Sequence, residues 1–146
     1  MDGYTKTMVP RSKFYLEHVV PKSLIPRELE WDLNNLLIIN REHKHHRDGT
    51  KFGDKTLDGI TFCPQENKGK IARMCAHMLD KCFMLKYPIS NSIVMDQALM
   101  MKWHHENPVS DHEKYVNNYI FRVQGEYNEY VDGKDIGEQM MWVFEK

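Results

Sequence analysis

The fold of this 146-residue chain is decided near its start by one short stretch. It reads Tyr15-Leu16-Glu17-His18-Val19-Val20-Pro21-Lys22-Ser23. The alternating, β-branched residues 14–20 predict a β-strand, and Pro21 ends it. Neighbouring side chains on a strand point to opposite faces. Glu17 and His18 can therefore serve one site only at a strand end or a kink, a condition that the nearby Pro21 favours.

A second apolar strand is predicted over residues 34–40, and its closeness in sequence favours antiparallel pairing with the first. The cationic, histidine-rich residues 41–47 follow and predict one or two helical turns, which Asp48-Gly49 ends. Residues 51–64 contain two glycines and a proline without a clear period, which predicts a loop. The order expected for the first half is therefore strand, loop, strand and short helix.

Helical periodicity begins at Lys70 and predicts three helices in the second half. The first reaches the break at Tyr87-Pro88, the second covers residues 92–106, and the third runs to about Val123. Ser110-Asp111-His112-Glu113 has the form of a capping box at the start of the third helix. Gly125 is placed to end that helix in the left-handed conformation.

Composition and charge narrow the class of protein. The net charge is −1, but residues 1–86 carry 15 Lys and Arg against 11 Asp and Glu, whereas residues 87–146 carry 5 against 10. A nucleic-acid-binding face would therefore come from the first half. Three cysteines without a CxxC pair argue against a disulfide framework. We expect one domain over residues 1–146 that does not enter a membrane. Because the N-terminus shows no signal-peptide core, we expect an intracellular setting, either cytoplasmic or that of a virus or phage.

The Glu17-His18 pair can carry chemistry. A carboxylate is a hard oxygen ligand suited to Mg²⁺, and an imidazole titrates near neutral pH, where it can take a proton from water. An asparagine on the second strand could orient the imidazole through its other nitrogen. By itself, however, such a dipeptide is more often an ordinary surface pair.

Further motifs follow Glu17-His18-Val19-Val20-Pro21-Lys22-Ser23 in order. They read Asp32-Leu33-Asn34-Asn35-Leu36, Lys68-Gly69-Lys70-Ile71-Ala72-Arg73, Trp103-His104, Asn107-Pro108-Val109-Ser110 with Glu113, and Gln124-Gly125-Glu126-Tyr127-Asn128-Glu129-Tyr130-Val131-Asp132. Over this span, from about Leu16 to Asp132, the sequence resembles the bacterial endonuclease I family of non-specific nucleases, which are ββα-metal (His-Me finger) nucleases. The resemblance implies an α+β fold, in which a short antiparallel hairpin plus helix packs on a mainly helical body.

The resemblance also implies an activity and a set of site residues. The activity is divalent-metal-dependent cleavage of nucleic acid with little sequence preference and a 5′-phosphate product. The implied metal is Mg²⁺, for which Mn²⁺ can substitute. The implied substrate is DNA, with RNA as the alternative. The implied catalytic residues are His18 as general base, Asn35 as the structural asparagine of the finger, and Arg47. Glu17 is implied as a metal ligand.

The second ligand position departs from the family. Counting from Asn35 places Lys44 there, and a protonated lysine cannot coordinate a metal. A shift of one residue would place His43 or His45 on the metal, and we expect His43 to be the second ligand. Alternatively, Lys44 contacts phosphate directly and the protein is a catalytically impaired nucleic-acid-binding protein. The residues expected to contact nucleic acid are Lys22, Arg27, Lys44, His45 and Lys51.

Overall fold

The first half of the fold is built on an antiparallel hairpin. The computed structural model describes residues 13–40, 47, 49–57 and 59–137. Strand β1 (Phe14–His18) pairs with β2 (Leu36–Asn40), with His18 opposite Leu36. The predicted pairing is confirmed, but both strands are shorter than the periodicity indicated. Their paired ends coincide, so the hairpin stops at His18.

Asparagine hydrogen bonds explain why the strands stop there. Residues 33–35 form a 3₁₀ turn, whose N-cap Asp32 accepts a hydrogen bond from the backbone N–H of Asn34. The Asn35 side chain accepts from the N–H of Val20 and donates to its carbonyl, at 2.8 and 2.9 Å. These bonds replace the next strand pairing, because they satisfy both backbone groups of Val20.

Four helices make up most of the described part of the second half. They are α1 (Lys68–Met84), α2 (Asn91–Val94), α3 (Gln97–Glu106) and α4 (Asp111–Gln124). The single helix expected over residues 92–106 is wrong, since α2 and α3 are separated by extended residues. Met95 and Asp96 adopt ψ angles of 136° and 143° there. This break buries Met95 completely while Asp96 forms an ion pair with Lys51.

The ends of α4 follow local rules. The Ser110 hydroxyl accepts from the N–H of Glu113 at 3.1 Å, so the predicted N-cap is confirmed. Gly125 has a φ of 78°, which confirms it as the left-handed C-terminal residue. The second hydrogen bond of a capping box, from the backbone N–H of Ser110 to the Glu113 carboxylate, is not formed. That carboxylate binds Arg73 of α1 instead. The cap sequence thus also supplies a tertiary contact.

The core joins the hairpin to the helical body. Its buried side chains include Val19, Val20, Leu37 and Ile39 from the hairpin, together with Ile71, Cys75, Met78 and Leu79 from α1. Helix α1 also packs against α3. The expected α+β class is confirmed: a short antiparallel hairpin lies on a mainly helical body.

The segment between hairpin and helices was predicted to be a loop, but it contains two short strands. β3 (Lys51–Phe52) and β4 (Thr61–Phe62) pair in parallel. The helix expected over residues 41–47 lies outside the described residues, apart from Arg47. None of the helices in the described part has the length and apolar character that a membrane crossing requires.

Candidate active site

A shallow cleft of about 360 Å³ opens along strand β1 and the turn that follows it. It is lined by Tyr15, Leu16, Glu17, His18, Pro21, Lys22, Ser23 and Gly49. His18 is the last residue of β1, so the strand end required by the sequence argument is present. Glu17 and His18 both reach this cleft although they lie on opposite faces of the strand.

One nitrogen of the His18 ring is already occupied. Nε2 lies 2.8 Å from the backbone carbonyl oxygen of Glu30. A carbonyl oxygen can only accept, so Nε2 carries the hydrogen in this contact. In the neutral ring the lone pair is then on Nδ1, which makes Nδ1 the nitrogen able to take a proton.

Glu17 is held by a buried arginine. Nη1 of Arg47 lies 2.6 Å from Oε2 of Glu17. The same guanidinium donates to the carbonyl oxygens of Thr50 and His18, and lies 3.8 Å from the centroid of the Phe52 ring. Charge-assisted bonds of this kind are short and directional. Arg47 therefore fixes the Glu17 carboxylate relative to the end of β1.

Arg47 was predicted as a catalytic residue on the strength of the resemblance. It is only 2% exposed, so its contacts are with the protein and not with solvent. Within the described part of the chain, its Nη2 is buried without a hydrogen-bond partner. A buried donor without a partner is costly and calls for an explanation. Arg47 does not line the cleft, so it acts on the site through Glu17 and not by direct contact with a ligand.

Asn35 does not contact the imidazole. Both polar atoms of its side chain bind the backbone of Val20, as described above, and His18 bonds to Glu30 instead. The suggestion that an asparagine of the second strand orients the imidazole is therefore wrong. Asn35 fixes the turn after β1, and so the direction in which the chain leaves His18.

The basic residues predicted to contact nucleic acid lie in different parts of the structure. Lys22 lines the cleft and pairs with Glu30 at 3.2 Å. Arg27 is exposed on a 3₁₀ turn (Arg27–Leu29) in the link between the strands. Lys51 lies 2.8 Å from Asp96 and lines a second cleft between β3 and α3. Of the three, only Lys22 reaches the cleft of His18.

The donor set of the cleft suits Mg²⁺ in part. This ion is usually held by one or two carboxylates, with waters and substrate phosphates completing its shell. Among the described residues that line the cleft, Glu17 is the carboxylate. His43, Lys44 and His45, the candidates for the second ligand position, lie outside the described residues. One hard carboxylate on an open cleft fits an ion that is bound together with its substrate.

A tryptophan beside the site was missed by sequence reasoning. Trp31 is 70% exposed, and its ring centroid lies 6.4 Å from that of His18. An exposed indole is uncommon, because burying it would contribute to stability. The signal available in the sequence was a tryptophan between two acidic residues in a mostly charged stretch, Arg27-Glu28-Leu29-Glu30-Trp31-Asp32.

A buried carboxylate anchors the residue after Trp31. Asp32 accepts hydrogen bonds from Lys81 of α1 and from Gln124 of α4. Burial opposes its ionisation most strongly, but the bonds from Lys81, Gln124 and the Asn34 N–H together lower the pKa of Asp32. The inter-strand link is therefore fastened to the helical body.

A second group of possible metal ligands was also missed. His104, His105 and Asp135 place one ligand atom each within 4.8 Å of one another. However, Nη1 of Arg73 lies 3.0 Å from Nδ1 of His104. A donor on Nδ1 leaves the hydrogen on Nε2, and the arginine charge repels a cation. This group does not line the cleft of His18.

The family model of endonuclease I matches residues 46–134, more than half of the sequence. The chain belongs to the endonuclease I family. The matched residues begin after the hairpin, so the match does not cover Glu17 and His18. No curated protein matches the chain. An endonuclease I domain indicates a nuclease, which acts on nucleic acid.

Proposed function

We propose that the protein is a divalent-metal-dependent endonuclease that hydrolyses phosphodiester bonds with little sequence preference. The observation that carries this proposal is the arrangement at the end of β1, where His18 and Glu17 share one open cleft. Membership in the endonuclease I family supports it. The cleft also contains Lys22, which can attract the backbone phosphates.

His18 acts as the general base in this proposal. The Glu30 carbonyl keeps the hydrogen on Nε2, so the lone pair of Nδ1 is the one that would accept a proton from water. As Nδ1 takes the proton, the water oxygen bonds to phosphorus and the bond to the 3′ oxygen breaks. The leaving 3′ oxygen takes a proton from solvent, and the product carries a 5′-phosphate.

Glu17 would hold the ion, with His43 as the proposed second ligand. Bound Mg²⁺ or Mn²⁺ would supply charge neutralisation at the phosphate and at the leaving oxygen. Arg47 is then a positioning residue, since it restrains Glu17 from a buried site. Asn35 has a structural role, because it fixes the backbone that follows His18.

Cleavage of supercoiled plasmid and of single-stranded RNA, each with Mg²⁺, Mn²⁺ or EDTA, tests the activity. We expect cleavage that EDTA abolishes and that falls steeply with added salt. His18→Ala should lower the rate by at least about 100-fold. His112→Ala, which removes an exposed histidine of α4, is the matched control and should leave the rate unchanged.

The second candidate function is nucleic-acid binding by an impaired nuclease. It is favoured by Lys44, which stands where the family has a ligand. The two functions separate if the wild-type protein binds DNA or RNA but cleaves neither with any divalent ion. In that event the enzyme proposal is lost and the binding function replaces it.

The ligand proposal has its own test. His43→Ala should raise the Mg²⁺ concentration needed for half-maximal rate by about 10-fold or more. Lys44→Ala should instead weaken substrate binding without changing the metal requirement. Full metal-dependent activity in His43→Ala would show that the second ligand is another residue.

A further inference from the structure

We propose that Trp31 is a stacking platform for an unpaired base next to the phosphate in the cleft, which makes single-stranded nucleic acid the preferred substrate. This inference rests on the proposed function and adds the substrate class. Two features of the structure support it: the indole is 70% exposed, and its ring centroid lies 6.4 Å from that of His18.

The backbone around Trp31 is fixed on both sides. Before it, the carbonyl of Glu30 accepts the hydrogen bond from His18. After it, the buried carboxylate of Asp32 binds Lys81 and Gln124. The indole is thus presented outward from a restrained segment. A restrained aromatic surface loses little conformational entropy when a ligand stacks on it.

The surroundings of the indole suit a polyanion with aromatic bases. Lys22 lines the cleft and lies against Glu30, the residue before Trp31. Arg27 is exposed on the same link. Binding of single strands without sequence preference combines such cations with an aromatic side chain on which a base stacks. Stacking tolerates every base, which agrees with cleavage of little sequence preference.

Duplex nucleic acid would not offer the same contact. In a duplex both faces of each internal base are covered by neighbouring bases, so the indole would meet the sugar–phosphate edge. An unpaired base can expose its face without first being separated from a neighbouring base. Trp31 therefore favours single strands, loops and frayed ends over intact duplex.

Binding can be measured without cleavage. In EDTA, fluorescence anisotropy would compare a labelled single strand of about ten nucleotides, the same sequence as a duplex, and a strand of equal length in which the bases are removed. We expect Trp31→Leu to weaken single-strand binding roughly 5- to 100-fold. The loss should be much smaller for the duplex and for the strand without bases.

Two variants separate stacking from a structural effect. Trp31→Tyr keeps an aromatic face and should restore most of the affinity. Tyr115→Leu removes a 65% exposed aromatic side chain of α4 and should change nothing. Thermal unfolding of each variant should match the wild type, because Trp31 is not part of the core.

Kinetics give an independent result. Ground-state stacking raises KM for single strands in Trp31→Leu and leaves kcat within a few-fold of wild type. The inference is overturned if Trp31→Leu binds the normal strand and the strand without bases with an unchanged affinity ratio. It is also overturned if duplex and single strand weaken equally. Failure of the proposed function would appear differently, as absence of cleavage by the wild type, while the binding experiment in EDTA still reports on stacking.

Discussion

Arg47 and Arg73 are each buried against a glutamate, one beside the hairpin and one in the helical body. Arg73 donates from Nε and Nη2 to both oxygens of Glu113, each at 2.8 Å, and its Nη1 reaches His104. Arg47 reaches Oε2 of Glu17 through Nη1 and, in the described part of the chain, leaves Nη2 without a partner. Among the residues that the structure describes, the body pair is saturated, because every nitrogen of its guanidinium is bonded, and the hairpin pair is not.

That difference separates a structural pair from a pair at a site. The Arg73 pair joins α1 to α4, and every nitrogen of its guanidinium has a partner. The Arg47 pair borders a cleft that is open to solvent, and its carboxylate lines that cleft. Among the described residues, Asn34 and His77 also have a buried nitrogen without a hydrogen-bond partner, and neither lines the cleft. The position of the Glu17 carboxylate in the cleft is therefore what makes the Arg47 pair part of the site.

Removing the negative charge of each glutamate should reveal the difference between the two pairs most strongly. Glu17→Gln and Glu113→Gln each leave a buried arginine without its counter-charge, which costs on the order of 3 kcal/mol of unfolding free energy. Only Glu17→Gln should also lower cleavage per folded molecule, by at least about 100-fold, because it removes the proposed ion ligand. Denaturant unfolding and cleavage rates, measured on the same samples, check both. Equal activity losses in the two variants would remove the distinction between the pairs.

The hairpin and its site follow from local sequence to a considerable degree. The pattern of residues 14–20 predicted the first strand, but the strand stops at His18, two residues earlier than predicted, because Asn35 bonds to the backbone of Val20. Ser110 and Gly125 specify the ends of α4 by rules that involve only their neighbours. Where a feature depends on a few adjacent residues, the prediction agreed with the structure.

Features set by tertiary contacts were not predictable in this way. Neither proline nor glycine marks the break at Met95, which arises because that side chain is drawn into the core. The burial of Arg47 depends on Phe52 and Thr50, and the exposure of Trp31 depends on how its flanking residues are anchored. The periodicity of a single segment contains no information about these partners.

A methyl group placed against the saturated pair should have a smaller effect than the charge removals. A Cβ on Gly69 would lie 2.4 Å from the carbonyl oxygen of Asn107 and 2.8 Å from Nη2 of Arg73. Gly69→Ala should therefore lower the free energy of unfolding by about 2 kcal/mol, the typical cost of overpacking, despite alanine's higher helix propensity. Asn118→Ala, at an exposed position of α4, is the control and should be neutral or slightly stabilising. If Gly69→Ala is neutral as well, the start of α1 is less closely packed against Asn107 than the distances indicate.

The smallest effect concerns the junction between the two regions, where Asp32 of the hairpin link binds Lys81 and Gln124 of the body. Because the folded-state pKa of Asp32 is lowered, its ionised form stabilises the fold above the unfolded-state pKa of about 4. This contribution is lost as the pH falls through the folded-state value. Asp32→Asn should lower the free energy of unfolding by about 1–2 kcal/mol at pH 7, and the gap to wild type should narrow below about pH 4. Urea unfolding of both proteins from pH 7 to pH 3 measures this gap. A gap that is constant over the whole range would mean that Asp32 contributes through shape and neutral hydrogen bonds alone, and that charge does not join the hairpin to the body.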